Sequence, residues 1–220
     1  MSRTTALQAD VPRVTPAEAG AFLYRHLREP IRRLLLRHFS FGIEGAEHLP
    51  VGGPFIIAAN HHNYLDGIVL AAAVPRPIAF LVMPRVWRAT PLHPLLHRHI
   101  GSIPLNLSRP DVGALRRALA VLAAGGAVGI FPEGPFSVRG RLEPGLPGVG
   151  LLALRSGVPV VPAAIRGTYA ALVGRRAYVP RRHPLAVRFG PPRGFARGGG
   201  RAARTDATQR IMDDIAALLA

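Results

Sequence analysis

Short apolar runs alternate with amphipathic helical patterns along most of this chain, and that alternation constrains the fold more than any other feature. The apolar runs, each of a length typical of a buried strand, lie at 55–59, 78–83, 102–106, 127–131, 158–165 and 185–189. Helical patterns follow several of them, at 66–73, 91–98, 111–124 and 148–156. Strands joined in this way are typical of a parallel sheet covered on both faces. The sequence therefore predicts an α/β domain with a mixed, largely parallel sheet flanked by helices.

Two prolines fall within the apolar run at 158–165. Pro159 and Pro162 have no N–H to donate to a neighbouring strand, and such residues are concentrated at sheet edges and strand ends. We therefore predict that this strand lies at an edge or an end of the sheet.

Composition and local signals divide the chain into four segments. We expect a loose tail at 1–14, an N-terminal amphipathic helical segment at 15–40, an α/β domain at 41–192, and a Gly/Arg-rich linker with a C-terminal helix at 193–220. Thr15, Pro16 and Glu18 fit the capping box that begins a helix. Pro30 predicts a kink or a break within that helix.

The helical segment at 15–40 carries leucines on one face and arginines largely on the other. The apolar positions at helical spacing are Leu23, Leu27, Ile31, Leu34 and Leu35. An apolar stripe backed by arginine suits a helix that lies in a membrane interface. A surface helix packed on the domain gives the same pattern, so both interpretations stay open.

No part of the sequence has the apolar core of a signal peptide or a stretch long and apolar enough to cross a bilayer. We therefore expect a cytoplasmic protein that is peripheral on the inner face of the cell membrane.

The charge balance is strongly basic. The chain has 28 basic and 12 acidic residues and a formal net charge of +16, and every basic residue is Arg. Such a charge suits a polyanionic partner, namely nucleic acid, anionic lipid or a phosphorylated ligand. Nucleic acid is disfavoured because the arginines are scattered along the chain and aromatic residues make up only 6% of it.

Cysteine and histidine content narrows the chemistry further. The absence of Cys excludes disulfides, thiol catalysis and Cys-ligated zinc. His93 and His97 have the spacing of a zinc pair, but Pro94 lies between them and no Glu adjoins them. We therefore predict no metal site and no prosthetic group.

A polar segment, Asn60-His61-His62-Asn63-Tyr64-Leu65-Asp66, follows the apolar run at 55–59 and leads into a helix. Sites in α/β sheets collect at the carboxyl ends of strands. A His and an Asp five residues apart across such a loop can hydrogen-bond, so that one ring nitrogen is fixed and the other can accept a proton. No Ser or Cys lies between them, which indicates that the activated hydroxyl belongs to the substrate. Because His62 directly follows His61, either ring could be the partner of Asp66. A loop His satisfied by local bonds is the competing interpretation.

Two further segments are informative only in combination. Phe131-Pro132-Glu133-Gly134 ends another apolar run, where a carboxylate beside a Gly can accept a hydrogen bond from a substrate hydroxyl or organise a turn. Val158-Pro159-Val160-Val161-Pro162 carries no chemistry by itself.

In this order and spacing, the segments resemble the glycerolipid acyltransferases typified by 1-acylglycerol-3-phosphate acyltransferase. Its first signature is Asn-His, four residues and Asp, matched at His61 and Asp66. Its second is a Gly-led strand that ends in Arg, matched at 101–109. Its third is Phe-Pro-Glu-Gly at 131–134, and its fourth is Val-Pro-Val-Val-Pro at 158–162. The resemblance covers about residues 40–190.

The resemblance implies a function and a set of roles. His61 is expected to be the general base that takes the proton of an acceptor hydroxyl, with Asp66 orienting it. The acyl donor is a thioester of coenzyme A or acyl carrier protein, and the acceptor is a lysolipid, most simply 1-acylglycerol-3-phosphate. Glu133 and Gly134 are expected to help bind the acceptor's glycerol phosphate. The positively charged side chains expected near its phosphate are Arg85, Arg109 and Arg139.

The sequence departs from the family pattern around the phosphate contacts. Leu107 stands where the second signature has its Arg, and Arg109 comes two residues later. Pro135 and Phe136 stand where the family often has Thr-Arg. Another lysophospholipid, an aminolipid or a glycolipid is therefore an alternative acceptor. A non-catalytic protein that binds anionic lipid is the alternative of a different class.

Overall fold

A computed structural model describes residues 16–83, 97, 100–105, 111–173 and 179–220, with only the backbone for 16–23. The helices are α1 (Pro16–Phe39), α2 (Leu65–Ala73), α3 (Val112–Ala123), α4 (Gly148–Ser156), α5 (Thr168–Leu172) and α6 (Arg201–Leu219). The strands are β1 (Gly42–Glu44), β2 (Phe55–Ala59), β3 (Ile78–Val82), β4 (Ile103–Pro104), β5 (Ala127–Ile130), β6 (Val160–Arg166) and β7 (Ala186–Phe189). A short 3-10 helix, Ala46–His48, follows β1.

The strands form one seven-stranded sheet in the order β1-β7-β6-β2-β5-β3-β4. Strands β6, β2, β5, β3 and β4 are mutually parallel, β7 is antiparallel to β6, and β1 is parallel to β7. The prediction of a mixed, largely parallel sheet flanked by helices is confirmed. The five parallel strands all end at one edge of the sheet, which we call the carboxyl edge, and begin at the opposite edge, the amino edge.

Both faces of the sheet are buried, and β2 shows why its sequence is continuously apolar. Phe55 and Ile57 face one hydrophobic cluster, which also contains Leu70 of α2. Ile56 faces a second cluster on the other side, together with Ile211 of α6. Every side chain of β2 is fully buried, as expected of a central parallel strand with helices on both faces.

Strand β6 lies between β2 and β7, so the prediction that its prolines place it at an edge or an end of the sheet is wrong. Pro159 precedes the strand, and its carbonyl still accepts the Ile56 N–H at 3.0 Å. Pro162 lies just beyond the end of β7, where its carbonyl accepts the Gly190 N–H at 2.9 Å. The missing N–H therefore removes one bond at the end of the β6–β7 ladder.

Helix α1 packs on the domain through part of its apolar face. The Tyr24 hydroxyl donates to the carbonyls of Ala71 and Val74, at 2.8 and 3.0 Å, and Leu35 is buried in the core. Leu27 and Leu34 remain exposed. The helix runs through Pro30 without a break, and the apolar stripe predicted from the sequence is divided between the core and the surface.

The C-terminal helix begins at Arg201, within the segment predicted as a linker and a C-terminal helix. Ile211 and Ile215 are buried in the same core cluster as β2 and β5. Arg193 and Asp214 form a two-bond ion pair, with N–O distances of 2.5 and 2.6 Å. In the part of the chain that the structure describes, no helix is long and apolar enough to cross a membrane.

Candidate active site

The site is built by two neighbouring loops at the carboxyl edge. The first, residues 60–64, joins β2 to α2, and we call it the His loop. The second, residues 131–147, joins β5 to α4, and we call it the Glu loop. Since β2 and β5 are adjacent parallel strands, their following loops meet, as expected of a parallel sheet.

The ring of His61 pairs with the side chain of Asp66. His61 Nδ1 lies 2.9 Å from Asp66 Oδ2, and both side chains are buried. The same oxygen accepts the backbone N–H groups of His62 and Asn63, at 2.6 and 2.7 Å. An ionised carboxylate only accepts hydrogen bonds, so Nδ1 of His61 carries the proton and Nε2 presents a lone pair. The ring contact to Asp66 is therefore made by His61 and not by His62.

Asparagine side chains shape the His loop. Asn60 Nδ2 donates to the Ile165 carbonyl at 2.9 Å, and its Oδ1 accepts the Ile165 N–H at 2.7 Å. Asn63 Oδ1 accepts the Leu65 N–H, and its Nδ2 donates to the Thr168 carbonyl, both at 2.9 Å. These bonds tie the loop to β6 and α5, so the backbone of His61 is held from the side of β6.

Two phenylalanines hold the His61 ring. Phe131 stacks on it with ring centroids 3.8 Å apart and planes inclined by 7°. Phe136 meets it edge-on at 4.5 Å. Such contacts contribute roughly 0.5–1.5 kcal/mol beyond the area they bury. Sequence reasoning missed this role for both residues, although Phe136 occupies the position where the family often has Arg.

The side-chain carboxylate of Glu133 joins the two loops by accepting a backbone N–H from each of them. Its Oε1 accepts the His61 N–H at 2.6 Å, and its Oε2 accepts the Glu143 N–H at 2.8 Å. The side chain is 4% exposed. Burial raises the pKa of Glu133 to about 7, against the opposing effect of the two backbone N–H groups. Gly134 follows with a left-handed φ of 79°, a conformation that Gly adopts without steric cost.

Arg139 lies on the same loop as Glu133, but its guanidinium pairs with the carboxylate of Glu143 instead. Its guanidinium forms two hydrogen bonds to Glu143, at 3.0 and 2.7 Å. Glu143 also accepts the Ser137 hydroxyl at 3.3 Å. The hydrogen bond from Arg139 lowers the pKa of Glu143. Arg85 and Arg109, the other arginines predicted at the acceptor site, lie outside the described residues.

Neighbouring polar side chains have other partners. His62 packs edge-on against Tyr169, with ring centroids 5.8 Å apart, and burial lowers the pKa of His62. Nδ1 of His97 lies 3.2 Å from Ser102 Oγ, while His93 and His99 lie outside the described residues. Across the described ranges, no three His, Asp or Glu side chains are arranged to bind a metal ion.

The family of the chain follows from comparison with known proteins. Residues 40–166 match the family model described as Acyltransferase, so the chain belongs to the acyltransferase family. This confirms the resemblance to glycerolipid acyltransferases, and both the His loop and Glu133 fall within the matched range.

Curated relatives of the chain are named 1-acyl-sn-glycerol-3-phosphate acyltransferases. The chain is 32% identical over 133 residues to a chloroplastic 1-acyl-sn-glycerol-3-phosphate acyltransferase of Brassica napus, which is 59% of this chain and 38% of that protein. It is 24% identical over 149 residues to a 1-acyl-sn-glycerol-3-phosphate acyltransferase of Bacillus subtilis, which is 66% of this chain and 72% of that protein. The chain thus spans less than two fifths of the plant relative's length.

A solved structure has the same fold. The crystal structure of PlsC, the 1-acyl-sn-glycerophosphate acyltransferase of Thermotoga maritima, matches with a TM-score of 0.70 and 23% identity. The match covers 90% of this chain and 81% of that one.

Proposed function

We propose that the protein is an O-acyltransferase that moves a fatty acyl group from an acyl thioester to the free hydroxyl of 1-acylglycerol-3-phosphate, forming phosphatidic acid for phospholipid biosynthesis. The observation that carries the proposal is the buried pair of His61 Nδ1 and Asp66 Oδ2, 2.9 Å apart, at the carboxyl edge of an acyltransferase domain. The names of the relatives support the choice of acceptor. The donor is a thioester of coenzyme A or of acyl carrier protein.

In the proposed reaction, Nε2 of His61 takes the proton of the acceptor hydroxyl. The hydroxyl oxygen attacks the thioester carbonyl, the carbon–sulfur bond breaks, and the thiolate leaves with the proton that His61 returns. The products are an ester and a free thiol. The ring of His61 has no described Ser or Thr hydroxyl as a hydrogen-bond partner, which favours direct transfer over an acyl-enzyme intermediate.

Asp66 keeps the reacting nitrogen free. Because Oδ2 accepts three hydrogen bonds, one from the His61 ring and two from the backbone, the carboxylate is fixed in place before substrate arrives. A carboxylate held in this way maintains the tautomer and stabilises the imidazolium that forms during proton transfer.

Glu133 and Gly134 are proposed to contact the glycerol phosphate of the acceptor. Each carboxylate oxygen of Glu133 accepts one backbone N–H, whereas an ionised carboxylate has about four lone-pair sites in all. A lone pair on each oxygen thus remains for an acceptor hydroxyl. Arg139, together with Arg85 and Arg109, is proposed to bind the phosphate, for which the guanidinium fork is suited.

We further propose that the protein lies on an anionic membrane at the inner face of the cell membrane. Helix α1 supports this, because Leu27 and Leu34 are exposed beside the exposed Arg33 and Arg37. Exposed leucines flanked by arginines favour insertion at the headgroup boundary of anionic lipid.

The proposed activity is tested by free thiol release with purified protein. Long-chain acyl-CoA and acyl-loaded acyl carrier protein are each supplied with lysophosphatidic acid, another lysophospholipid, an aminolipid or a glycolipid. We expect the fastest release with lysophosphatidic acid, and formation of phosphatidic acid by mass spectrometry. Faster reaction with a different acceptor would reassign the substrate, and absence of thiol release with every pair would refute the enzymatic proposal.

A further inference from the structure

We infer that the carboxyl edge of the sheet is itself a membrane-docking surface, so that the loops around His61, and not only helix α1, rest on the bilayer. This inference rests on the proposed function in taking an amphiphile as substrate. The inference goes beyond the proposed function by specifying which face of the domain meets the lipid.

The distribution of exposed aliphatic side chains carries the inference. Six of the ten large apolar residues that are exposed in the described part of the chain lie at the carboxyl edge. They are Ile68, Val112, Val138, Leu146, Val173 and Val179. Three others lie on α1, and only Val51 lies at the amino edge. Single exposed aliphatic residues need no explanation, but a concentration on one face indicates an interaction surface.

Hydrogen bonds place several of these residues close to His61. The Ser137 N–H donates to the His61 carbonyl at 2.8 Å, and Val138 is the next residue. The Val138 carbonyl accepts the Tyr169 hydroxyl at 3.1 Å, and the Tyr169 carbonyl accepts the Val173 N–H at 2.7 Å. Tyr169 therefore links Val138 to Val173. Ser137, the residue before Val138, is hydrogen-bonded to the backbone of the proposed base.

A second part of the surface lies on the other side of Glu133. The Leu146 N–H donates to the Pro132 carbonyl at 2.7 Å, and Pro132 directly precedes Glu133. Ile68 lies in the first turn of α2, two residues after Asp66. Ile68, Val138 and Leu146 thus lie on or directly beside the two loops that hold the proposed chemistry.

Basic side chains lie among the aliphatic ones. Arg139 and Arg141 on the Glu loop are exposed, as are Arg181 and Arg182 in the segment before β7. Arg181 is bonded to the carbonyls of α5, which fixes it near Val173. Aliphatic groups that can enter the acyl boundary, next to arginines that attract anionic headgroups, suit an anionic bilayer.

Helix α1 extends the same surface. Its last residue, Phe39, accepts the Leu185 N–H at 3.0 Å, and Leu185 directly precedes β7, which begins at the carboxyl edge. The exposed Leu34 and Leu36 therefore lie toward this edge, and the partially exposed helix and the loops present lipid contacts on the same side. A membrane lying there would deliver a lysolipid to His61 without passage through bulk water.

The absence of cysteine from the chain makes a direct test possible. Val138→Cys and Val51→Cys are each labelled with an environment-sensitive fluorophore; the two valines are 82% and 98% exposed and lie at opposite edges. On mixing with vesicles of phosphatidylcholine and phosphatidylglycerol, we expect a blue shift at position 138 and none at position 51. A shift at position 51, or none at position 138 while the protein sediments with the vesicles, would overturn the inference.

A matched pair of charge variants tests the energetics. Val138→Asp is expected to weaken vesicle binding on the order of tenfold, through lost burial and repulsion by the lipid, whereas Val51→Asp changes it less than about twofold. Equal binding by both variants would contradict docking at the carboxyl edge. If Val138→Asp lost binding to acyl carrier protein but bound vesicles like wild type, the carboxyl edge would be a protein-docking surface. That result would overturn the inference.

Short-chain substrates separate this inference from the proposed function. Monomeric hexanoyl lysophosphatidic acid with a short-chain acyl-CoA needs no membrane. At saturating acceptor, where a change in KM caused by a carboxylate beside Arg139 has no effect, Val138→Asp should therefore release thiol at the wild-type rate. With vesicle-borne acceptor it should do so more slowly. Wild type inactive on every substrate would refute the activity, while equal rates of the variant and wild type on vesicles would refute only the docking surface.

Discussion

Glu133 Oε1 accepts the backbone N–H of His61 at 2.6 Å, so a carboxylate on the Glu loop fixes the main chain of the proposed base on the His loop. Its other oxygen binds the Glu143 N–H at 2.8 Å. The Phe-Pro-Glu-Gly segment therefore positions the proposed base before any substrate binds, because the position of the His61 ring depends on both loops.

Replacing Glu133 with Gln tests this relationship. The amide nitrogen of Gln is a donor, so one of the two backbone N–H groups, of His61 or of Glu143, loses its acceptor. A buried donor left unsatisfied costs about 1–3 kcal/mol. We expect a lower kcat, because the main chain of His61 is then held less firmly, whereas the unfolding free energy at neutral pH falls by less than this cost, since wild-type Glu133 is itself destabilised there by its ionisation. A change confined to the KM of the acceptor would indicate contact with substrate alone.

The same carboxyl predicts a pH dependence of stability. The pKa of Glu133 rises from its ordinary 4.5 to about 7 on folding, so the folded state binds more protons than the unfolded state between these values. Its contribution to stability is therefore fully present below pH 4.5 and is lost as the pH rises through about 7, by at most about 3 kcal/mol. Urea unfolding across this range should show the loss in wild type but not in Glu133→Gln.

His61→Ala should lower the rate of acyl transfer by about 10²–10⁴-fold, the usual contribution of a general base. Asp66→Asn should also lower it strongly, since an amide cannot accept from the ring and from two backbone groups in the same way. His62→Gln is the matched control, because its ring contacts Tyr169 rather than Asp66. Initial rates of thiol release measure all three, and activity in His61→Ala would contradict the assigned base.

Arg139→Gln should raise the KM for lysophosphatidic acid about tenfold while leaving the unfolding free energy within about 1 kcal/mol, because exposed ion pairs contribute little. Arg155→Gln, at the amino-edge end of α4, is the charge-matched control. If both variants changed KM equally, the effect would come from net charge rather than from a phosphate contact.

Arg76→Ala should destabilise the fold without altering kcat. Its guanidinium donates to the carbonyls of Gly53 and Gly125, at 2.7 and 2.9 Å, and lies 5.2 Å from the centre of the Phe55 ring. These contacts join loops at the amino edge, far from His61. We expect a loss on the order of 2 kcal/mol in urea unfolding, and a large fall in the kcat of the folded variant would contradict this separation.

The sheet was predictable from sequence because its central strands are buried on both faces and are therefore apolar throughout, as in Phe55 to Ala59. Strand β1 was missed because it has only three residues, none of them buried. Helix α5 was missed because it has only five residues. The error on β6 arose because the proline rule assumes that the missing N–H faces a strand, whereas Pro162 lies beyond the end of β7.

The His61–Asp66 contact was also predictable, since five residues across a strand-to-helix loop bring the side chains together. The bonds of Glu133 were not, because they join backbone groups that are 72 and 10 residues away and leave no pattern in side-chain type. The stacking of Phe131 on His61 was hidden for a related reason, since an aromatic residue at the end of a buried strand normally indicates core.

The bonds of Arg76 have a consequence for how this domain can change over evolutionary time. Because they secure the amino edge independently of the loops around His61, substitutions in those loops can accumulate at the carboxyl edge while the scaffold keeps its fold. A scaffold held at one edge leaves the loops at the other edge free to change in sequence. The arginines and valines of the carboxyl edge are where such divergence is expected to be found.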